Sequence, residues 1–343
     1  MLRVGDILSG LLEWAPASLA WERDNIGLLI GSPDREVERA LVCLDLTEAV
    51  AREAVERGAQ CIVAHHPLIF HPLKSIRTDT ARGRLIELLL RERVSVIAMH
   101  TNADAARGGL NAELAALLGV ERPRRLDPPK GMLRKLIVQI TGGATVTDDV
   151  ARLLAGFPEC RWTAHALTEG YAVEIVIPGF RLAELRSVLT TELGTALRDD
   201  HVVPVVGSLA DHGIGAAGEL AEALPVRDFL ALVKERLGCA ALRTTPFDEK
   251  LRIRRVAVSS GAGSSYVQSA IDAGSEVLVT GDLSHHLFLD HADDILLVDA
   301  GHYETEQIFI RICADELRRR FFDGKQKIDI LRTQTDTNPV RFI

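Results

Sequence analysis

The sequence predicts an α/β protein in which mostly parallel sheets, with helices on both faces, are formed by both outer thirds of the chain. Three observations predict this class. Both outer thirds alternate short apolar runs with amphipathic stretches, which is the order of βαβ units. The middle third changes to a βαβ-βαβ order that fits an inserted ferredoxin-like α+β domain. At 343 residues, 47% of them hydrophobic, the chain can bury the cores of two domains.

The first third alternates apolar strands with helices. Each strand is a continuous apolar run, which is typical of a strand buried on both faces of a parallel sheet. Parallel strands need crossover connections, so the helices must cover the sheet. The elements are strand 41–47 (LVCLDLT), helix 48–58, strand 61–66 (CIVAHH), helix 80–93, strand 94–100 (VSVIAMH) and helix 110–120.

The last third repeats this order. Its apolar runs have the same length and are again followed by helical patterns, so the same type of sheet is predicted. The elements are strand 255–260 (RVAVSS), helix 266–274, strand 276–282 (EVLVTGD), a helix from about residue 284, strand 294–301 (DILLVDAG) and a long helix over 302–321.

Between these regions, Pro128 and Pro129 indicate a linker. We predict three parts: residues 1–130 and 208–343 form one metal-binding core, and residues 131–207 form the inserted domain. His165, His201 and His212 have no carboxylate at ligand spacing, so we interpret them as structural. The elements of the insert are strand 136–141, helix 147–157, strands 161–168 and 171–179, helix 181–193 and strand 201–206.

Composition excludes several classes of protein. The formal net charge is −8 and no long run of basic residues occurs, which argues against an extended nucleic-acid surface. No apolar segment approaches the ~20 residues that span a bilayer, and the first residues do not resemble a signal peptide. The five cysteines show no CxxC spacing and are expected to be buried and reduced. We therefore expect a cytoplasmic protein.

Histidine and carboxylate side chains cluster where predicted strands end. In open α/β sheets, binding sites are built at the carboxyl ends of the strands. Clusters from both outer thirds therefore indicate a single metal site assembled from both ends of the sequence. The clusters are His65 with His66, His100 with Asp104, His285 with His286, and His302 with Glu306.

The pair His65 and His66 is unusual on an apolar strand, because successive side chains point to opposite faces. Pro67 interrupts the strand, so both rings can turn toward a common site at its end. Histidine is the commonest metal ligand, which supports this interpretation. The alternative is one buried histidine bonded to the backbone and one exposed histidine.

His302 and Glu306 are four residues apart at the start of a helix, so they share one face and can hold one ion, or two through a bridging carboxylate. The alternative is a solvated helix start with a favourable acid, a role that fits Glu304 better. Asp104 follows His100 by four residues and can alternatively be a capping or turn aspartate.

Further residues surround this candidate site. The segment SSGAGSS (259–265) can form an anion-binding nest or simply a tight turn, since glycine serves both. His100, His286 and Asp282 are candidates for supporting the ligands and for carrying protons. His285 is expected to be exposed.

Several segments carry a resemblance to a known family. They are WERDNIGLLIGSPDREV, CLDLTEAVAREAVERGAQCIVAHHPLIFHPLKSI, MHTNADAARGGLNAELAALLGV, VAVSSGAGSSYVQSAIDAGSEVLVTGDLSHH and LLVDAGHYETE. In order and spacing, the chain resembles the Nif-three-like family of dinuclear-metal proteins, whose members are often labelled GTP cyclohydrolase I type 2 homologues. The resemblance covers essentially all of both outer thirds.

The resemblance implies two divalent metal ions per chain and a homohexamer built as a trimer of dimers. Long members carry an insert that resembles the nitrogen-regulatory PII proteins, and residues 135–206 match its position, although the glycine-aromatic and His-Pro-Tyr-Glu-Glu signatures are absent. Glu306 corresponds to the bridging ligand. The implied metal ligands are His65, His66, Asp104, His302 and Glu306.

Mixed histidine and carboxylate ligands suit zinc, iron, manganese, cobalt or nickel, so the identity of the metal stays open. Two neighbouring ions can activate water, which predicts a metal-dependent hydrolase with a bridging hydroxide as nucleophile and with His100 or His286 moving protons. The family label suggests GTP, but another nucleotide or phosphorylated small molecule would suit the same groups. The alternative is a ring-shaped, metal-containing binding or regulatory protein without turnover.

Overall fold

The structure, a computed structural model, describes residues 1–143, 145–321 and 328–343. The chain folds into two compact units. Met1–Asp127 and Asp211–Ile343 form what we call the core unit, and Pro128–Ala210 form the inserted unit. The three-part domain division with boundaries after residues 130 and 207 stays a prediction. In the described ranges, no helix combines the length and the apolar character needed to cross a bilayer.

The strands follow one another along the chain as β1 (Leu2–Arg3), β2 (Gly27–Ile30), β3 (Glu36–Val37), β4 (Arg39–Cys43), β5 (Cys61–Ala64), β6 (Ser95–Ala98), β7 (Val120–Asp127), β8 (Leu133–Ile140), β9 (Arg161–Leu167), β10 (Gly170–Pro178), β11 (Leu197–Val205), β12 (Ile214–Pro225), β13 (Arg243–Thr244), β14 (Arg252–Ala262), β15 (Val277–Gly281), β16 (Leu296–Asp299) and β17 (Asp329–Arg332).

The helices are α1 (Val4–Trp14), α2 (Glu48–Glu56), α3 (Ala81–Arg91), α4 (Thr101–Ala105), α5 (Leu110–Leu117), α6 (Val146–Leu154), α7 (Leu182–Leu193), α8 (Val226–Leu237), α9 (Val267–Asp272), α10 (His285–Asp290), α11 (His302–Glu306) and α12 (Ile308–Phe321).

A five-stranded sheet carries the first part of the core unit, in the order β17-β4-β5-β6-β2. Pairings among β17, β4, β5 and β6 are parallel, and β2 is antiparallel to β6. Side chains of β4 alternate between two apolar clusters, with Leu41 packed against α2 and α3 and Val42 packed against α1 and α12. Helices therefore cover both faces, which is why the strands read as continuous apolar runs.

A six-stranded sheet carries the other part of the core unit, in the order β13-β16-β15-β14-β12-β7. Only β14, β15 and β16 are parallel, and the other three pairings are antiparallel. The prediction of mostly parallel sheets therefore fails here. The physical reason is that β7 runs toward the inserted unit and β12 returns from it, so the two strands pair in opposite directions. The start of β12 is rich in Gly and Ala, which have low strand propensity, so β12 was not predicted from the sequence.

The inserted unit is a four-stranded antiparallel sheet in the order β11-β8-β10-β9. Alternate residues of β8 and β10, such as Val138 and Ile175, pack with Val150 of α6 and Leu185 of α7. The order β-α-β-β-α-β is that of a ferredoxin-like unit. This order of elements is common to ferredoxin-like units in general, so the specific resemblance of the insert to PII proteins stays a prediction.

Candidate metal centre

His65 and His66 follow β5 directly. The ring of His65 is fully buried, and its Nδ1 lies 2.8 Å from the carbonyl oxygen of Met99. That carbonyl can only accept, so in the neutral ring Nδ1 carries the proton and the lone pair lies on Nε2. The Nδ1 atom of His66 lies 2.8 Å from Oδ1 of Asp45, which likewise turns its Nε2 toward the site. Both rings are therefore oriented as metal ligands usually are.

The next parallel strand, β6, leads to His100 and then into α4, which carries Asp104. His100 Nδ1 lies 2.8 Å from Oδ1 of Asp24. Asp104 is buried, and its Oδ1 accepts a hydrogen bond from Ser260 Oγ at 3.1 Å. The carboxyl end of this strand thus places two candidate side chains beside His65.

His302 and Glu306 are the first and last residues of α11, so their i,i+4 spacing puts them on one face. His302 Nδ1 lies 2.7 Å from Oδ2 of Asp282, and His302 Nε2 lies 2.9 Å from Oε2 of Glu306. The Nε2 atoms of His302 and His66 are 3.4 Å apart. The last third of the chain therefore reaches the same place as the first.

The predicted ligands meet in overlapping groups. Their nitrogen and oxygen atoms lie within 4.8 Å of one another in three sets: His65, Asp104 and Glu306; His66, His302 and Glu306; and His65, His66 and His100. Glu306 belongs to two of these sets, as the predicted bridging role requires.

Two polar atoms in this cluster have no hydrogen-bonding partner among the described residues. They are Nε2 of His65 and Oε2 of Glu306, and both are buried. The Nε2 atoms of His66 and His302 lie 3.1 and 2.9 Å from Glu306 Oε2, which is ion-pair distance when the rings are protonated. Nε2 of His65 lies 3.8 Å from Glu306 Oε1 and 3.9 Å from Asp104 Oδ1, too far for a hydrogen bond. Burying an unpaired polar atom is costly, so this nitrogen indicates a ligand atom that faces a shared cation. The donor set fits a divalent metal ion.

Electrostatics supports the same conclusion. Burial lowers the pKa of His66, but the carboxylates of Asp45 and Glu306 outweigh it and raise that pKa to about 10. The carboxylates of Glu306 and Asp282 raise the pKa of His302 to about 9, against the effect of burial. Burial disfavours the charge of Glu306, yet the neighbouring histidines hold its pKa well below the usual value. Burial raises the pKa of Asp104, which therefore needs a nearby cation to stay ionised.

Three aspartates orient the histidines. Asp24 contacts His100, and Asp45 contacts His66. Sequence reasoning missed these two, although both lie in the segments that carry the family resemblance and Asp45 follows β4. Asp282, predicted as a supporting residue, contacts His302 and has a positive φ of 56°. Such a backbone is uncommon outside glycine and is often found at functional sites.

The segment predicted as a possible anion nest instead packs against the cluster. Its first part is the end of β14, and the N–H groups of Ser260 and Gly261 donate to Asn111 and Thr305. Gly261 has φ of 59°, and a Cβ atom there would lie 2.1 Å from Oε1 of Glu306. Glycine is therefore needed at position 261 so that the backbone can approach Glu306 closely. The N–H groups of Ser260 and Gly261 already donate to side chains of the protein, so they do not form a phosphate-binding nest.

His285 and His286 begin α10 and are both exposed. Within the described ranges, their one ring contact is with each other, at 5.7 Å between centroids. Neither joins the three groups of ligand atoms. The predicted proton-carrying role of His286 thus gains no contact in the structure, whereas His100 lies within the cluster.

Comparison with known proteins identifies the family of this chain. The Duf34/NIF3 (NGG1p interacting factor 3) family matches residues 2–339. The chain belongs to the DUF34/NIF3 family. The resemblance predicted from the sequence is thereby confirmed, and the five ligand candidates all lie inside the matched range.

Individual members of the DUF34/NIF3 family match over nearly the whole chain. A protein named GTP cyclohydrolase 1 type 2 homolog from Halalkalibacterium halodurans is 32% identical, and one of the same name from Bacillus subtilis is 31% identical, each over 96% of both chains. A Bacillus cereus protein related to NIF3 has a similar structure, with a TM-score of 0.87 and 29% identity over 99% of both chains. The mixed α/β fold with several sheets is thus shared by this family.

Proposed function

We propose that this protein is a hydrolase that depends on two divalent metal ions. The observation that carries the proposal is the buried Nε2 of His65, which has no hydrogen bond and faces the carboxylates of Asp104 and Glu306, within two sets of ligand atoms that share Glu306. A structural metal site is usually closed by four thiolate or imidazole ligands, but five ligands shared by two ions leave positions open for water.

His65, Asp104 and Glu306 would hold one ion, and His66, His302 and Glu306 the other. Bound there, two divalent ions would lower the pKa of water and polarise the substrate. Zinc, iron, manganese, cobalt and nickel all suit these ligands.

The chain's own residues have separate tasks in this proposal. Asp45 and Asp282 fix the rings of His66 and His302 through their Nδ1 atoms. His100, held by Asp24, is the group we assign to proton transfer, because it lies against the rings of His65 and His66 with centroids 5.2 and 5.5 Å away. In hydrolysis the oxygen of water bonds to the attacked atom, the bond to the leaving group breaks, and the leaving atom takes the proton.

The substrate that we propose is a nucleotide or another phosphorylated small molecule. The name of the relatives from Halalkalibacterium halodurans and Bacillus subtilis, GTP cyclohydrolase 1 type 2 homolog, supports GTP as the first compound to test. We further propose a cytoplasmic homohexamer, built as a trimer of dimers, on the basis of the family. Light scattering that returned a monomer at micromolar concentration would contradict the hexamer.

The test begins with elemental analysis of protein purified without an affinity tag, which we expect to return two metal ions per chain. Turnover of GTP, other nucleotides and phosphoesters should be lost when a chelator removes the metal ions. It should return when one particular kind of metal ion is added back. Glu306→Ala should lose metal and reduce turnover by about 100-fold or more, because both ions lose a ligand. Glu235→Gln, a change at an exposed helix residue, is the matched control.

Two results would contradict the proposal. Equal turnover by the wild type and by Glu306→Ala would exclude the mechanism. Saturable, metal-dependent binding of these compounds without any product would favour a binding or regulatory protein instead of an enzyme.

A further inference from the structure

A cavity of about 560 Å³ in the core unit adjoins the candidate metal centre. His66 and His302 are part of its lining, together with Asp45 and Asp282, which hold these two rings. A compound in the cavity would thus contact two of the metal-ligand histidines. The volume suits a small molecule, since such sites commonly measure roughly 300–1,000 Å³.

The cavity has an acidic side. Asp45, Asp282, Asp299 and Glu304 contribute four carboxylates to the lining, whereas Arg243 is the one arginine among the described residues that line it. Arg243 Nη1 already contacts Oδ2 of Asp299 at 2.9 Å, so most of its charge is compensated. An anionic group beside these carboxylates would be repelled. A phosphate group would be attracted only by the metal ions next to His66 and His302.

The other side of the cavity is apolar and comes from the segment after β17. Pro339, Val340 and Phe342 line it. Val340 and Phe342 remain 55% and 56% exposed although both are large and apolar. Covering them with a ring would remove apolar surface from water, which is the main favourable term in binding such a group.

Hydrogen bonds hold this apolar wall in place. Thr337 Oγ1 donates to Asp45 Oδ2 at 3.2 Å, and Asn338 Nδ2 donates to Glu304 Oε1 at 2.8 Å. The N–H of Val340 donates to Asn338 Oδ1 at 3.0 Å. A wall that is already ordered costs little entropy when a ligand binds.

We propose, on the basis of the function proposed above, that this cavity receives the uncharged ring of the substrate while a single anionic group faces the metal ions. Val340 and Phe342 then determine specificity. The favoured substrate class is a phosphoester with one phosphoryl group next to an uncharged aromatic or heterocyclic group. A polyphosphate extending into the cavity is disfavoured by Asp45, Asp282 and Glu304, the lining carboxylates that are not paired with Arg243.

The experiment measures binding of non-hydrolysable phosphonates to the metal-loaded, full-length protein by calorimetry. Methylphosphonate and phenylphosphonate share the metal-binding group and differ in the ring. We expect phenylphosphonate to bind roughly tenfold more tightly, the gain expected from burying a ring. A carboxylate at the para position of phenylphosphonate should abolish this gain, because it would meet the acidic side.

Phe342→Ala should remove most of the difference between the two phosphonates without changing the affinity for methylphosphonate or the metal content. Leu289→Ala is the matched control, because Leu289 is a large apolar residue, 65% exposed, outside the cavity lining. Val340→Ala should act in the same direction as Phe342→Ala.

Equal affinity for the two phosphonates, or an unchanged difference in Phe342→Ala, would overturn the proposal. So would tighter binding of the para-carboxylate compound. These results leave the hydrolase proposal intact, because they do not concern turnover. Ring-dependent binding without hydrolysis of any ester would support the cavity proposal and contradict the hydrolase. Protein that takes up no metal would overturn both.

Discussion

Glu306 is the side chain on which the other site residues converge, and its surroundings leave little space for larger side chains nearby. Its carboxylate is 4% exposed and approaches His66 and His302. Gly261 must lack a side chain to let it fit. At the scale of single residues, the site therefore needs positive charge beside the Glu306 carboxylate and free space at position 261.

Protons should compete with metal ions for this site. The neighbouring carboxylates raise the pKa of His66 to about 10 and that of His302 to about 9, so protonation of these rings opposes metal binding at pH 7. Metal ligation needs neutral imidazole, so binding at pH 7 should release protons, and affinity should rise with pH up to about 9 to 10. Calorimetry in buffers of different ionisation enthalpy measures this release.

Asp45→Asn provides the internal comparison. It removes a carboxylate that raises the pKa of His66, so fewer protons should be released at pH 7. Metal binding with no proton release in the wild type would contradict the raised pKa of these rings.

Gly261→Ala should abolish or strongly weaken metal binding. The added Cβ atom would lie 2.1 Å from Glu306 Oε1, so the carboxylate must move. Gly274→Ala is the matched control, because Gly274 also has a positive φ, of 72°, but no atom lies within 4 Å of the place that its Cβ would take. Both variants carry a backbone cost of about 1–2 kcal/mol. Equal metal content in the two variants would exclude the steric explanation.

At the scale of elements, Glu53 of α2 fastens the segment that leads to the cavity wall. Its carboxylate accepts hydrogen bonds from Thr333 Oγ1 at 2.6 Å, from the N–H of Gln334 at 2.8 Å and from Thr335 Oγ1 at 2.8 Å. Burial opposes its ionisation, but these donors and Arg57 lower the pKa of Glu53 to about 2. Through the side chain of Glu53, α2 thus holds the irregular segment of residues 333–335 in place.

Glu53→Gln should loosen this segment. We expect hydrogen exchange over residues 333–337 to become faster by an amount corresponding to about 1–3 kcal/mol, since hydrogen bonds to a charged group are lost. Glu56→Gln, at an exposed position of the same helix, is the control. Acceleration in both variants, or in neither, would contradict the role of Glu53.

The same contact gives a pH dependence. The folded pKa of about 2 lies below the ordinary value of 4.5, so the stabilisation is complete above about pH 4.5 and is lost as pH falls toward 2. The difference in exchange between wild type and Glu53→Gln should therefore shrink between pH 4.5 and pH 2.

For the whole molecule, the inserted unit should be dispensable for metal binding, because all five ligand candidates belong to the core unit. Asp127 and Ile214 are partners in the pairing of β7 with β12, so their Cα atoms lie about 5 Å apart and a few residues can join them. Replacing residues 128–210 by a short Gly-Ser linker should keep the metal content. Loss of metal from a folded variant would contradict this prediction.

The amino-acid sequence by itself determined the alternation of strands and helices, the positions where histidines follow apolar strands and the i,i+4 pair His302 and Glu306. These features depend on local periodicity, which each segment carries within itself. The family match rests on the same segments. The closeness of His65 and Asp104 followed from the rule that neighbouring parallel strands present their carboxyl ends together, because β5 and β6 pair in one sheet. Glu306 follows β16 of the other sheet, so its place beside them was decided by the tertiary structure.

Only the tertiary structure decided which strands become neighbours. It placed β17 beside β4 and the antiparallel β12 between β7 and β14. It also brought Asp24 and Asp45 to the histidines, and Phe342 to the cavity. A segment's own pattern states its period and its buried face, but not its partner. The partner is chosen by long-range packing, when the apolar faces of distant segments are buried together.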